Sequence, residues 1–301
     1  MEHSFGNKDE IEEIKAINLL PIFLNILLAL AYTFLIIKSG IEFEYLPIFN
    51  EITEYTNPTE ALLNPKPYLN AALFIILLTL GLFLNYFLIK KNLRKILKIL
   101  FLTSFSILVF SLLTFYIFII NAIIEIDNFI VSNVTFFLTF LLSIIIIKMF
   151  YSKKDLIRLL AAISIGSGVG SALGFFIPYW TSILILIFAS IYDIIAVFKG
   201  PLKKLFEKDV DLTIFRFALI NFKGLIIGLG DIVFYSLLIS LSFINFGLIS
   251  AIIASTGIII GSCITLSLLK KDYPFPGLPI PIFIGLILLG LSSILSKIFL
   301  S

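Results

Sequence analysis

Nine runs of apolar residues, each long enough to cross a hydrocarbon core, dominate this 301-residue chain. They fall at about 17–37, 70–89, 99–122, 129–147, 157–176, 179–198, 224–243, 246–269 and 278–298. Crossing about 30 Å of hydrocarbon takes about 20 mostly apolar residues, and backbone in lipid must satisfy its own hydrogen bonds, which favours helices. The pattern predicts an all-α, polytopic membrane protein with nine transmembrane helices. Composition agrees, with 60% of residues hydrophobic and 14% charged, where soluble domains average about 25% charged. The acidic segment "MEHSFGNKDEIEEIKA" lacks the short basic region of a signal peptide, so the run after it is read as the first span.

The basic residues order these spans. Lys and Arg concentrate in short cytoplasmic loops, and here they cluster in every second connection. Lys8 and Lys15 precede the first span, and Lys90, Lys91, Arg94, Lys95 and Lys98 lie about the second connection. Lys148, Lys153, Lys154 and Arg158 mark the fourth, six more from Lys199 to Lys223 the sixth, and Lys270 and Lys271 the eighth. The other side carries only Lys38, Lys66 and Lys297. The N-terminus is therefore expected inside and the C-terminus outside. A net charge of +3, spent on topology, leaves no basic stripe for nucleic acid. The single cysteine, Cys263, cannot form an intramolecular disulfide.

The first external connection is long and acidic, and the sixth, "KGPLKKLFEKDVDLTIFRFALINF", is partly amphipathic and expected to lie on the inner surface. Neither forms a separate domain, so the chain is read as one membrane-embedded unit. Residues about 1–177 form its scaffold (spans one to five) and about 178–301 its functional part (spans six to nine). Glycines recur at four-residue spacing: Gly166, Gly170 and Gly174 in the fifth span, Gly224 and Gly228 in the seventh, Gly257 and Gly261 in the eighth. That spacing clears a helix face for close backbone approach. "GSGVG" sits inside a span with no strand before it, so it is read as packing, not as a phosphate loop.

Among the acidic residues, all but two fall in termini, connections or span edges. Asp193 and Asp231 lie within the sixth and seventh spans, which contain no Lys or Arg. A carboxylate at mid-membrane costs at least about 2.5–3.5 kcal/mol and points to function. Asp193 stands six residues before Lys199 and Asp231 eight after Lys223. These spacings put them about 9 and about 12 Å from the same surface, at one level on adjacent antiparallel helices. Two carboxylates about 3 Å apart share one proton and titrate as a pair. One can act as base on water while its protonated partner donates to a substrate carbonyl oxygen. This is peptide hydrolysis with no covalent intermediate. Beside the acids, "DYPFPGLPIP" places Pro274, Pro276, Pro279 and Pro281 at the start of the ninth span. Prolines withhold N–H groups, and irregular backbone at this depth is tolerated inside protein or along a wet cavity.

These elements resemble the presenilin and signal-peptide-peptidase family of intramembrane aspartyl proteases. The resemblance rests on Tyr192-Asp193, on Gly228-Leu229-Gly230-Asp231, and on Pro276-Gly277-Leu278-Pro279, similar to the family's Tyr-Asp, Gly-x-Gly-Asp and Pro-Ala-Leu motifs. "YDIIAVFKGPL" and "GLGDIVFYS" look more like presenilin, in microbial form. The resemblance implies Asp193 and Asp231 as the catalytic pair, with the flanking residues and the proline motif shaping the site and engaging substrate. It also implies substrates that are transmembrane helices in a lipid bilayer, no cofactor or metal, no obligatory partner subunit, and an active site facing the cytoplasmic side of the cell membrane. A homo-oligomer stays open. Gly277 departs from the family's alanine. The sixth connection is too short for the self-cleaved loop of animal presenilins.

Another class stays open, a proton- or cation-coupled transporter or channel using the same two aspartates. Zinc and serine proteases need histidines in H-E-x-x-H or as a base, and the single histidine, His3, is terminal.

Overall fold

A computed structural model describes residues 16–41, 63–91, 93–125, 128–198, 219–222, 225–268 and 276–300. The acidic first connection, most of the sixth, the basic pair Lys270 and Lys271, and Pro274 lie outside the described residues.

The apolar runs become helices close to their expected bounds. After a 3-10 turn at Ala16–Leu19 come α1 (Leu20–Lys38), α2 (Pro65–Lys90), α3 (Arg94–Ile124), α4 (Asn128–Phe150), α5 (Asp155–Phe176) and α6 (Tyr179–Phe198), then α7 (Leu229–Leu268) and α8 (Pro279–Leu300). Among the described residues, six of these are long and apolar enough to cross a membrane, and α4 and α8 contribute shorter apolar stretches. Large apolar side chains of α2, α3 and α4 point outward, Phe83, Ile107 and Phe137 among them. A hydrocarbon solvent accounts for such faces and water does not.

The fold is nearly all-helical, as expected, with one local exception: β1 (Leu219–Phe222) and β2 (Leu225–Gly228) pair antiparallel, Leu219 opposite Gly228 and Phe222 opposite Leu225. The seventh span consequently starts at Leu229, not at 224. Gly228 ends a strand and so belongs to no helical packing stripe, and Gly224 lies outside the described residues. A short apolar run such as "LIIG" fits a strand as well as a helix start, and its two β-branched isoleucines favour the strand.

The seventh and eighth runs form one helix, α7, broken at Gly247 (φ 81°, ψ 178°). Only glycine adopts that backbone geometry readily. The chain folds back there, because Gly285 of α8 approaches both Leu238 and Ile258, on either side of the break. Between Asp231 and Leu268 no further charged residue occurs.

The first limb of α7 is the centre of the fold. It runs parallel to α5, with Gly166 against Ile232, Gly170 against Ser236 and Gly174 against Ser240. A Cβ at Gly170 would stand 2.5 Å from the Ser236 Cβ, so the expected small-residue face of α5 is a true close approach. The second limb runs antiparallel to α8, where a Cβ at Gly257 would stand 2.7 Å from the Gly285 Cα. Polar groups reinforce the first seam. Asn25 of α1 accepts hydrogen bonds at Oδ1 from Ser167 Oγ (2.6 Å) and Ser236 Oγ (2.7 Å), and its Nδ2 donates to the Ile232 carbonyl (3.3 Å). Ser240 Oγ donates to the Ser171 carbonyl at 3.0 Å. The main apolar cluster draws Ile26, Ile185, Leu238, Ile258, Leu278 and Ile282 from α1, α6, both limbs of α7 and α8.

Candidate active site

The strand-to-helix junction at Gly228–Leu229 determines where Asp231 stands. It falls in the first turn of α7, where unpaired N–H groups and the helix dipole favour an anion. Gly228 packs behind it, since a Cβ there would lie 3.2 Å from Asp231 Oδ2. Leu229 joins the packing of α5 against α7, beside Gly166. Gly230 faces open space, with no atom within 4 Å of where its Cβ would be.

Asp193 projects from α6 toward the start of α8. There the chain runs irregularly through Pro276, Gly277 and Leu278 before Pro279 opens the helix. Proline suits a first helical position because its missing N–H would have had no partner. The Leu278 N–H donates to Asp193 Oδ2 at 3.1 Å, so this carboxylate too meets a helix N-terminus. Gly277 lies against the other acid: a Cβ there would stand 2.8 Å from Asp231 Oδ2. The peptide segment just before α8 thus touches both carboxylates, which are themselves within electrostatic reach of each other. Both acids are partly buried.

Of the residues singled out in the sequence, the fold gathers Asp193, Asp231, Gly228, Gly277 and Leu278. Leu229 supports them through packing, and Pro276 and Pro279 are buried at the start of α8. Tyr192 is half-buried beside Asp193. Sequence reasoning missed Tyr235, one turn after Asp231. Its hydroxyl donates to the Gly277 carbonyl at 2.9 Å, and its ring is buried in the main core. It also missed Asn25, whose Nδ2 holds the carbonyl next to Asp231. The available signal was a lone polar residue inside an apolar helix, which marks interhelical hydrogen bonding.

Residues 220–300, which contain Asp231, Tyr235 and the Pro276–Pro279 segment, match the family model described as Presenilin. Over this stretch the chain is similar to presenilin. Presenilin-B of Dictyostelium discoideum is 34% identical over 128 residues, which are 39% of this chain and 26% of that protein. The chain therefore aligns with about a quarter of the length of that presenilin. Two solved structures of a presenilin family intramembrane aspartate protease, from P2 and C222 crystals, have the same fold. Their TM-scores are 0.62 and 0.56, at 15% and 17% identity, covering 94% and 91% of this chain and 99% of each of theirs. The presenilin-like fold thus extends well beyond the stretch that the family model matches.

Proposed function

We propose that this chain is an intramembrane aspartyl protease that hydrolyses peptide bonds within transmembrane helices, with Asp193 and Asp231 as its catalytic pair. One observation carries the reading: the Gly277–Leu278 segment rests on both carboxylates, with a hydrogen bond to Asp193 and close packing on Asp231. A protease needs irregular backbone of this kind to hold an extended substrate beside its acids; broken helices also line carrier sites, so the cleavage assay below separates the two.

In the reaction the ionised carboxylate takes a proton from water, whose oxygen attacks the scissile carbonyl carbon. The protonated carboxyl donates to the carbonyl oxygen, giving a tetrahedral diol. Collapse of the diol breaks the C–N bond as the nitrogen receives a proton, and the pair returns to its singly protonated state. Open space at Gly230 gives the substrate room on one side of Asp231, and the backbone at Gly277 packs against the other.

The wider proposal retains the sequence expectations: nine spans, the N-terminus inside, the C-terminus outside, and the acids toward the cytoplasmic face. The α7 hairpin supplies the seventh and eighth spans. Residues about 1–177 serve as scaffold and about 178–301 as the catalytic part, with no partner subunit or cofactor required.

The test uses purified full-length protein in detergent with a single-span substrate, and mass spectrometry of the fragments. Wild-type cleavage that disappears in both Asp193→Ala and Asp231→Ala supports the pair. Cleavage persisting in either variant rejects it, and an inactive wild type that conducts protons favours a carrier.

A further inference from the structure

The Gly277 carbonyl and the Leu278 N–H are two ends of one peptide group. Tyr235 of α7 donates its hydroxyl to that carbonyl at 2.9 Å, and the N–H donates to Asp193 Oδ2 at 3.1 Å. The peptide plane is rigid, so rotating it enough to lose one bond strains the other. Glycine at 277 leaves the plane otherwise free to turn. Donation into a carbonyl also polarises the amide and strengthens its N–H as a donor. The phenol is well suited to hold the plane. Tyr235 is only 6% exposed, packs in the same cluster as Leu278, Leu238 and Ile258, and has both carboxylates within electrostatic reach.

We infer that Tyr235 is a positioning residue: through the Gly277–Leu278 peptide it holds Asp193 in place opposite Asp231. This rests on the protease reading for its catalytic consequence, but the mechanical link stands apart from it. The phenol touches neither carboxylate by hydrogen bond in the described structure; it acts at one remove, joining α7, α8 and α6 through a single amide. Ser262, on the returning limb of α7, is buried near the same phenol, with its own hydroxyl making no hydrogen bond among the described residues.

The experiment is Tyr235→Phe in the full-length protein, which keeps the ring and removes only the hydroxyl. The Gly277 carbonyl is then left buried without its donor. The variant should therefore show a Leu278 amide that exchanges with deuterium at least about tenfold faster, while amides deeper in α8 keep wild-type protection. On a single-span substrate its kcat should fall at least about tenfold with KM within about twofold of wild type. A residue with a purely structural role would instead deprotect α8 along its length and lower the melting temperature. Unchanged exchange at Leu278, or a raised KM at wild-type kcat, overturns the inference. If the wild type shows no cleavage, the protease reading fails, and the amide measurement alone still decides the tether. If Tyr235→Phe does not fold, the wild-type protein decides: the Leu278 amide should exchange at least about tenfold more slowly than an unbonded amide, and exchange at the unprotected rate refutes the tether.

Discussion

Replacing Gly277 with alanine separates geometry from resemblance. The family resemblance makes alanine the ordinary residue here and implies a neutral change. The packing implies otherwise. A Cβ at Gly277 would stand 2.8 Å from Asp231 Oδ2, 3.2 Å from Cγ and 3.4 Å from Oδ1, where ordinary contact begins at 3.4 Å. One oxygen must therefore withdraw by the difference, 3.4 − 2.8 = 0.6 Å. A carboxylate is the free end of a side chain and can turn at little cost in stability, so the melting temperature should stay within about 2 °C of wild type. Catalysis is less forgiving, because a misplacement of about 1 Å costs about a hundredfold. A 0.6 Å displacement of Asp231 should lower kcat about tenfold, equivalent to about 1.4 kcal/mol of barrier, with KM unchanged. The assay is steady-state cleavage of a single-span substrate in detergent beside thermal melting of the same samples. Wild-type or higher kcat refutes the reasoning. So does an unchanged kcat with a clear loss of stability, which would mean that the backbone gives way and the carboxylate does not.

Asn25→Leu should lower stability by about 1–3 kcal/mol, read by thermal melting, because it takes the partner of the buried Ser167 hydroxyl and two further bonds from the seam, while Ser236 keeps its bond to the Ile232 carbonyl. Gly170→Val should be worse still, since even a Cβ meets Ser236 at 2.5 Å; loss of folded monomer in size-exclusion chromatography would show it. Gly247→Ala has no steric conflict, as nothing lies within 4 Å of its Cβ position. Any loss there measures backbone strain alone, expected at about 1–3 kcal/mol in thermal melting. A pair that must hold one shared proton should give a bell-shaped plot of kcat/KM against pH, and a plot rising through both limbs would reject it.

The helices and both aspartates were legible because membrane insertion imposes a one-dimensional rule. An apolar run of about 20 residues spans, and a carboxylate inside it stands out. The close approach of α5 to α7 was legible in the same way, from Gly166, Gly170 and Gly174 at four-residue spacing. Residues 225–228 were not, because an apolar strand and an apolar helix start read alike when the run is short. Tyr235 escaped for a different reason. Its partner is a main-chain carbonyl 42 residues away, and no local pattern encodes that distance. Asn25 joins residues 142 and 211 positions away, so its isolation inside an apolar helix was visible while its partners were not.

The reversal at Gly247 bears on how the protein is made. No charged residue separates Asp231 from the end of α7, so the turn gives the insertion machinery no charged signal at which to pause between the two limbs. Orientation cues lie only at the far ends, at Lys223 and at Lys270 and Lys271. The two limbs should therefore leave the ribosome and enter the bilayer together, as one preformed hairpin that draws Asp231 into the membrane in a single event.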